Sequence, residues 1–419
     1  MKVGIIGLGK LGLPCAVAIA MQGQNVMGYD LDPTRMSKAP QPYQEAGPDG
    51  TGDFNDYLSK SSIQFGDMQT VVDESEIIFV AVQTPHNPKY EGITRIPDER
   101  VDFDYTYLKA AIKTLASCKF EHDIPIVVIS TCLPGTMRRE IMPLLNEHMK
   151  LVYDPFFIAM GTTMRDFLNP EFILLGIEDE EAAKTVRGFY SETLPGVPIA
   201  QASLESAELT KVCYNTYISS KIAFANTVME ICHKTPGANV DSVTEALKLA
   251  TTRLISPQYM SGGMGDGGGC HPRDNIAMSW LARGLNLSYD LFDSLMKCRE
   301  EQTEWLADLI DDQMIAHRDL RVIILGYAFK PGTNLMVGSP AVLLKNLLDE
   351  RGINATVIDH HIAGYPQTVS HAGIYFIGCK HPEYADMTFP RGSVILDPHR
   401  YVSKELNTGS EVIYIGCNS

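Results

Sequence analysis

Short apolar runs ending in glycine or polar turns alternate with helix-period segments along the chain, the pattern of α/β domains built on parallel sheets. Val3–Ile6 is a buried-type run that leads into Gly7–Gly12 and then into apolar Ala16–Met21, which reads as helix. Asn25–Tyr29 is the next strand and ends at Asp30. Glu76–Val82 and Ile124–Ser130 are further strands, closing in the polar turns Gln83–Pro85 and Thr131–Thr136. The Gly- and Pro-rich stretch Ala39–Asp53 and the polar insertion Pro85–Asp104 read as surface loops. From Ser203 to His233 the pattern becomes one long helix, capped by Ser203, with Glu205 and Glu208 in its first turns and Thr235–Gly237 as its stop. Such a helix spans roughly 45 Å at ~1.5 Å per residue. Helical segments continue over Val240–Ala250, Ile276–Arg283 and Tyr289–Ala316. Arg321–Gly326 then opens a second strand-and-glycine unit, followed by a helix at Ala341–Glu350 and strands at Ala355–Asp359, Ile374–Gly378, Ser393–Asp397 and Glu411–Ile415. The fold class is α/β, with two Rossmann-like doubly wound lobes joined by a helical central domain and a long connecting helix. The expected boundaries are 1–200, 201–317 and 318–419.

Gly7-Leu8-Gly9-Lys10-Leu11-Gly12 is a full GxGxxG placed between a strand and a helix, and Asp30 stands eighteen residues past Gly12. Gly7 makes the tight turn, Gly9 admits a pyrophosphate, and Gly12 lets helix and strand pack. Asp30 at the second strand's end suits the ribose hydroxyls of NAD rather than NADP. Ligands of doubly wound sheets sit at the carboxyl ends of strands, which puts Thr84 and Thr131 on the binding edge. The second unit lacks a complete GxGxxG and is assigned no cofactor.

The densest chemistry lies at Gly262–Asp274, where six glycines and Cys270 fall within nine residues and Asp274 follows four residues later. Such a loop lets backbone N–H groups approach a ligand, and its cysteine, exposed and near positive dipoles, suits a nucleophile. Glu208, Lys211 and Asn215 are spaced i, i+3, i+7 on one face of the long helix. Their neighbours Val212, Cys213, Tyr214, Ile218 and Ile222 make that helix look largely buried, and buried Lys and Asn need partners.

At 419 residues two or three domains are expected, and a formal charge of −16 argues against nucleic-acid or acidic-membrane partners. Nine scattered cysteines with no Cys-x-x-Cys pair read as reduced thiols of a cytoplasmic protein, with no metal site. Lys10 and the glycines break the apolar N-terminus, so it does not read as a signal peptide, and no window approaches a membrane span.

Taken together, the N-terminal fingerprint with Asp30 and Arg35, Val82–Pro85, Ser130-Thr131 with Gly135-Thr136, Glu208-Leu-Thr-Lys211 with Asn215, Gly267–Cys270 with Asp274, and Leu325–Lys330 with Thr333 and Ser339-Pro340 resemble the UDP-glucose/GDP-mannose dehydrogenase family over essentially the whole chain. The resemblance implies a homodimer that oxidises the C6 alcohol of a nucleotide sugar to a carboxylate with two NAD, most simply UDP-glucose to UDP-glucuronate, through a thiohemiacetal and a thioester on Cys270. The alternatives are a same-scaffold NAD-dependent dehydrogenase that does a single oxidation or uses a different hydroxyl substrate, and a non-catalytic NAD-binding relative. Lys211 and Asn215 would stabilise oxyanions, and Asp274 and Thr131 would handle water. NAD would be held by Gly7, Leu8, Gly9, Lys10, Leu11, Gly12, Asp30, Arg35, Val82, Thr84, Pro85 and Thr131. The nucleotide sugar would be held by Phe157, Lys211, Asn215, Tyr259, Gly267, Gly268 and Phe329, with Arg253 and Lys330 as cations for its diphosphate.

The chain departs from the family pattern in several places. Asp154-Pro-Phe-Phe157 carries Phe156 where the family has a catalytic glutamate, and Met160 stands at the family's next acidic position. Thr333–Val337 puts Val337 where the family has a phosphate-binding arginine. Cys270 is followed by His271 rather than an aromatic, and Arg273 replaces a lysine. His271 is read either as a substitute base or as a solvent-exposed loop histidine.

Overall fold

A computed structural model describes all residues except 86, 96, 252–255, 257, 258, 260, 265–267, 287–289, 367, 418 and 419, and the side chain of Thr227. The chain forms two compact units, Met1–Pro85 with Asp102–Cys213, and His86–Val101 with Tyr214–Ser419.

In the first unit the strands are β1 (Lys2–Ile6), β2 (Asn25–Tyr29), β3 (Gln64–Phe65), β4 (Ile77–Val80), β5 (Ile124–Val128), β6 (Met149–Tyr153), β7 (Ile173–Ile177) and β8 (Ile199–Ala202), in the spatial order 3-2-1-4-5-6-7-8. Every pairing is parallel except β6–β7. This is the doubly wound order, reversing direction at β1 and β4. Those two strands and β5 are almost wholly buried, as expected for strands covered on both faces. The Gly12–Met21 helix is apolar all round because it packs between the sheet and the Thr163–Leu168 helix.

The second unit contains a five-stranded parallel sheet of β9 (Arg321–Leu325), β10 (Thr356–Ile358), β11 (Gly373–Ile377), β12 (Val394–Asp397) and β13 (Glu411–Tyr414), ordered 10-9-11-12-13. Helices Val240–Lys248, Cys270–Gly284 and Leu291–Ala316 precede it. The Leu204–Lys234 helix begins in the first unit and ends in the second. The Ser203 hydroxyl accepts the Ser206 N–H at its start, the cap expected from the sequence.

Two expectations are corrected. The 85–104 insertion is not simply a surface loop: Tyr90 is buried against Ile276 and Met296, and Arg100 pairs with Asp293. The Ala39–Asp53 stretch has no regular element before the Phe54–Lys60 helix, yet Glu45 within it is buried and accepts the Gly161 N–H at 3.1 Å and the Thr163 N–H at 2.5 Å. The long helix is largely buried, although Leu209, Tyr217, Phe224 and Ile231 are exposed.

Candidate active site

In the first unit, the glycine turn after β1 has the shape the fingerprint requires. Gly7 sits at φ 94°, and a β-carbon there would meet the Ala81 carbonyl oxygen at 2.7 Å. A β-carbon at Gly12 would lie 1.8 Å from the Gly7 carbonyl oxygen, so only glycine lets the helix start there. At Gly9 a β-carbon would meet only the mobile end of Arg35, at 3.3 Å, so protein packing alone does not demand this glycine. Asp30 accepts the N–H of Leu8 at 2.7 Å and that of Asp32 at 2.8 Å, and the Arg35 guanidinium lies 3.8 Å away. Lys10 reaches toward the Tyr43 ring, 6.0 Å from its centroid, and Leu11 is half-buried at the helix start. These residues fit NAD: the open face over Gly9 leaves room for a pyrophosphate, Asp30 has a carboxylate at the strand end, and Arg35 lies beside both.

The neighbouring strand ends are tied together. The Ser130 hydroxyl donates to the Val82 carbonyl, and the Thr84 hydroxyl donates to the Thr131 carbonyl at 2.9 Å. Thr131 and Pro85 are therefore brought to one edge, half-buried. Glu208, on the long helix, accepts the N–H groups of Gly135 at 2.5 Å and Met137 at 2.7 Å, which anchors the turn that follows Thr131. Burial pushes the Glu208 carboxyl up to about 7, against the pull of those two N–H groups. One turn along, the Lys211 ammonium donates to the Phe156 carbonyl at 2.8 Å and lies 4.8 Å from the Phe157 ring centroid. The Phe156 ring itself packs against Phe79 and Phe167. Asp154, the carboxyl closest to it in sequence, is buried under the Tyr190 hydroxyl, and burial pushes it up to about 7.

In the second unit, Cys270 is the first residue of the Cys270–Gly284 helix, and its side chain is exposed. The helix starts earlier than the glycines and Pro272 suggested, because a proline in the first turn removes an N–H that has no helical partner. His271 is buried in that first turn rather than solvent-exposed. Asp274, one turn on and wholly buried, accepts from the Asn215 amide at 2.5 Å and from the Arg273 guanidinium at 2.8 Å. Two predicted residues, Asn215 and Asp274, are thus brought together, with Arg273 as their third member. Gly268 and Gly269, just ahead of Cys270, are crowded by neighbouring side chains. Gly268 is at φ 90° with the Phe329 ring 2.8 Å from its β-position, and Val337 is 2.8 Å from that of Gly269. Phe329 and Lys330 follow β9, both half-buried. Tyr259 is exposed at φ 62°. Arg253 and Gly267 lie outside the described residues.

Sequence reasoning missed what holds this loop. The largely buried Arg400 guanidinium donates to the Gly262 carbonyl at 2.7 Å and pairs with Asp241, and the Asn226 amide oxygen accepts the Gly263 N–H at 3.1 Å. Arg400 is 138 positions from Gly262, and no motif links them; its own backbone, at φ 58°, is the only local sign of constraint.

Residues 1–194 match the family model described as UDP-glucose/GDP-mannose dehydrogenase family, NAD binding domain, and residues 205–301 match that family's central domain. The chain is 25% identical over 368 residues to UDP-glucose 6-dehydrogenase TuaD of Bacillus subtilis, covering 85% of this chain and 76% of that protein. It is 25% identical over 453 residues to GDP-mannose 6-dehydrogenase of Pseudomonas putida, covering 97% and 98%. In fold it resembles a UDP-D-ManNAc dehydrogenase from Pyrococcus horikoshii, with a TM-score of 0.81, 23% identity and full coverage of both chains. Among the described residues, no helix is long and apolar enough to cross a membrane, and all nine cysteines are free.

Proposed function

Because the chain belongs to the UDP-glucose/GDP-mannose dehydrogenase family, whose members are NAD-dependent nucleotide-sugar 6-dehydrogenases, we propose that it oxidises the C6 alcohol of a nucleotide sugar to a carboxylate in two steps, most simply UDP-glucose to UDP-glucuronate. The observation that carries the reading is the exposed Cys270 thiol at a helix start, one turn from a buried Asp274 already bonded to Asn215.

NAD supplies a hydride acceptor for each oxidation. Its holders on this reading are Gly7–Gly12, Asp30, Arg35 and the Val82–Pro85 edge with Thr131. The first oxidation removes a hydride from C6 and a proton from its hydroxyl, leaving an aldehyde. The Cys270 sulfur then adds to the aldehyde carbon, and the thiol proton passes to the new hydroxyl, giving a thiohemiacetal. Lys211 and Asn215 stabilise negative charge on that oxygen, favoured by the positive end of the helix dipole at Cys270. Removal of a second hydride from that carbon, with loss of the hydroxyl proton, yields a thioester. Water, oriented by Asp274 and Thr131, adds to the acyl carbon as the C–S bond breaks; one of its protons restores the thiol and the other is released as the acid ionises to the carboxylate. Phe157, Tyr259, Gly268 and Phe329 shape the sugar-nucleotide site, and Lys330 offers a cation to the diphosphate. The homodimer is part of the reading, as is a cytoplasmic location, supported by the free cysteines.

A second reading, a single oxidation, draws on Phe156. Its ring faces the core where the family carries a glutamate, so that segment offers no carboxylate to hydrolyse a thioester. Both are tested by counting NADH per sugar over a panel that includes UDP-glucose, GDP-mannose and UDP-N-acetylmannosamine, with Cys270→Ala alongside. Two NADH and an acid product, with overall turnover in the variant reduced by more than about 100-fold, support the two-step reading. One NADH with an unimpaired variant establishes the single oxidation.

A further inference from the structure

We propose that His381 is a positioning residue that sets the Tyr327–Gly332 segment for binding the nucleotide sugar, an inference that rests on the reading above. His381 follows β11 and is wholly buried. Its Nδ1 accepts the Gly332 N–H at 3.0 Å, and its Nε2 lies 3.4 Å from Asp359 Oδ2. An Nδ1 that accepts a backbone N–H places the ring's single proton on Nε2, facing the carboxylate. Asp359, also wholly buried at the end of β10, accepts the N–H of Tyr327 at 2.6 Å and of Ala328 at 3.2 Å. Asp359 therefore holds the start of the segment and His381 holds its end, with Phe329 and Lys330 between them. The Phe329 ring in turn packs on Gly268, two residues before Cys270.

The imidazole is clamped on its faces. His361 stacks on it with centroids 4.5 Å apart and bonds to Glu383 at 2.7 Å, and Tyr384 meets it edge-on at 5.2 Å. His361, His381 and Glu383 bring ligand atoms within 4.8 Å of one another. A metal ion is nonetheless poorly served, because one nitrogen of His381 is taken by Gly332 and the other carries the proton.

The two sheets thus use the same acid differently. Asp30 accepts the Leu8 N–H at the edge of its sheet, next to Arg35. Asp359 makes the equivalent bond to Tyr327 but is sealed beneath His381, so it fixes a loop instead of meeting a ribose.

The test compares the unmodified chain with His381→Phe, which fills the space without an acceptor, and His381→Asn, whose amide oxygen falls near Nδ1 and can accept from Gly332. His381→Phe is expected to raise KM for the nucleotide sugar and speed amide exchange over residues 327–333 by about ten-fold, the worth of a hydrogen bond at a buried site. Its kcat and KM for NAD stay within about two-fold, and His381→Asn recovers most of both losses. Unchanged exchange and KM in His381→Phe, or equal damage in both variants, overturns the role. Rapid exchange of the Gly332 amide in the unmodified protein overturns it whether or not the variants fold. Exchange is read without substrate, so an unmodified chain that turns over no nucleotide sugar defeats the functional reading while the His381–Gly332 bond is still judged.

Discussion

Asp154 shows how one buried carboxyl makes stability depend on pH. Burial raises it from 3.8 to about 7, and the Tyr190 hydroxyl compensates only in part. An acid whose folded value is raised binds more protons folded than unfolded, so its stabilising contribution is complete below about 4 and is lost as pH climbs through about 7. Asp154→Asn keeps an acceptor for Tyr190 and removes the charge. It is expected to raise Tm at pH 8 by a few degrees, at about 2–4 °C per kcal/mol for a unit of this size, and to change little at pH 4. Thermal melts across that range decide the matter, and a gain of equal size at both pH values would sink the explanation. Glu208 behaves differently because its two oxygens accept two backbone N–H groups. Glu208→Gln turns an amide donor toward one of them, leaving a buried N–H unpaired at a cost of about 1–3 kcal/mol. Denaturant unfolding of the variant measures that cost, and a loss below the error of the fit would mean the turn does not depend on this carboxylate.

At the scale of elements, two glycines of one motif separate packing from binding. Alanine at Gly12 drives a β-carbon into the Gly7 carbonyl at 1.8 Å and displaces the Gly12–Met21 helix. The expected loss is about 1–3 kcal/mol of stability, together with NAD affinity. Alanine at Gly9 meets only Arg35, so melting stays unchanged while NAD binding falls about ten-fold or more, through contact with the pyrophosphate. Calorimetry and NAD titration of both variants test this, and a destabilised Gly9→Ala would contradict the open face read there. The glycine turn and strands β1, β2, β4 and β5 were legible in the sequence, because buried parallel strands are local apolar runs and the turn needs glycine for local reasons. Strands β6, β7 and β8 were not. β8 is a short, half-exposed Ile-Ala-Gln-Ala with no apolar run, and β7 pairs antiparallel to β6, which the parallel pattern does not announce. The 85–104 insertion was misread because what buries it is distant, Asp293 being 193 positions from Arg100. In the site, spacing on one helix exposed the shared face of Glu208, Lys211 and Asn215, and the fingerprint exposed Asp30. Arg400 and His381 were invisible for the reason Arg100 was: each acts on backbone far along the chain, where no spacing rule reaches.

At the scale of the whole molecule, the long helix raises the question of assembly. Tyr217, Phe224 and Ile231 recur every seven residues and are 52%, 51% and 58% exposed, with Cys213 exposed one turn before Tyr217. A seven-residue spacing keeps apolar side chains on one stripe, drifting only about 20° per repeat, which is the seam two helices use when they pack against each other. With a net charge of −16 the chain repels its own copies at long range, and a short-range apolar contact such as this stripe is one that could overcome the repulsion. A homodimer that buries this stripe satisfies both conditions. Phe224→Glu places a charge at its centre, where a second copy would have to desolvate it, and is expected to yield a monomer of 46.2 kDa by sedimentation equilibrium at concentrations where the unmodified chain is a dimer. The same substitution leaves the fold of the separate chain intact, since the ring it removes is already half in water. A dimer that persists in the variant would place the interface elsewhere, and an unmodified chain that sediments as a monomer would leave the stripe to another partner. High salt separates the two forces further: screening weakens the repulsion between copies but not an apolar contact, so a homodimer built on this stripe is expected to tighten as ionic strength rises.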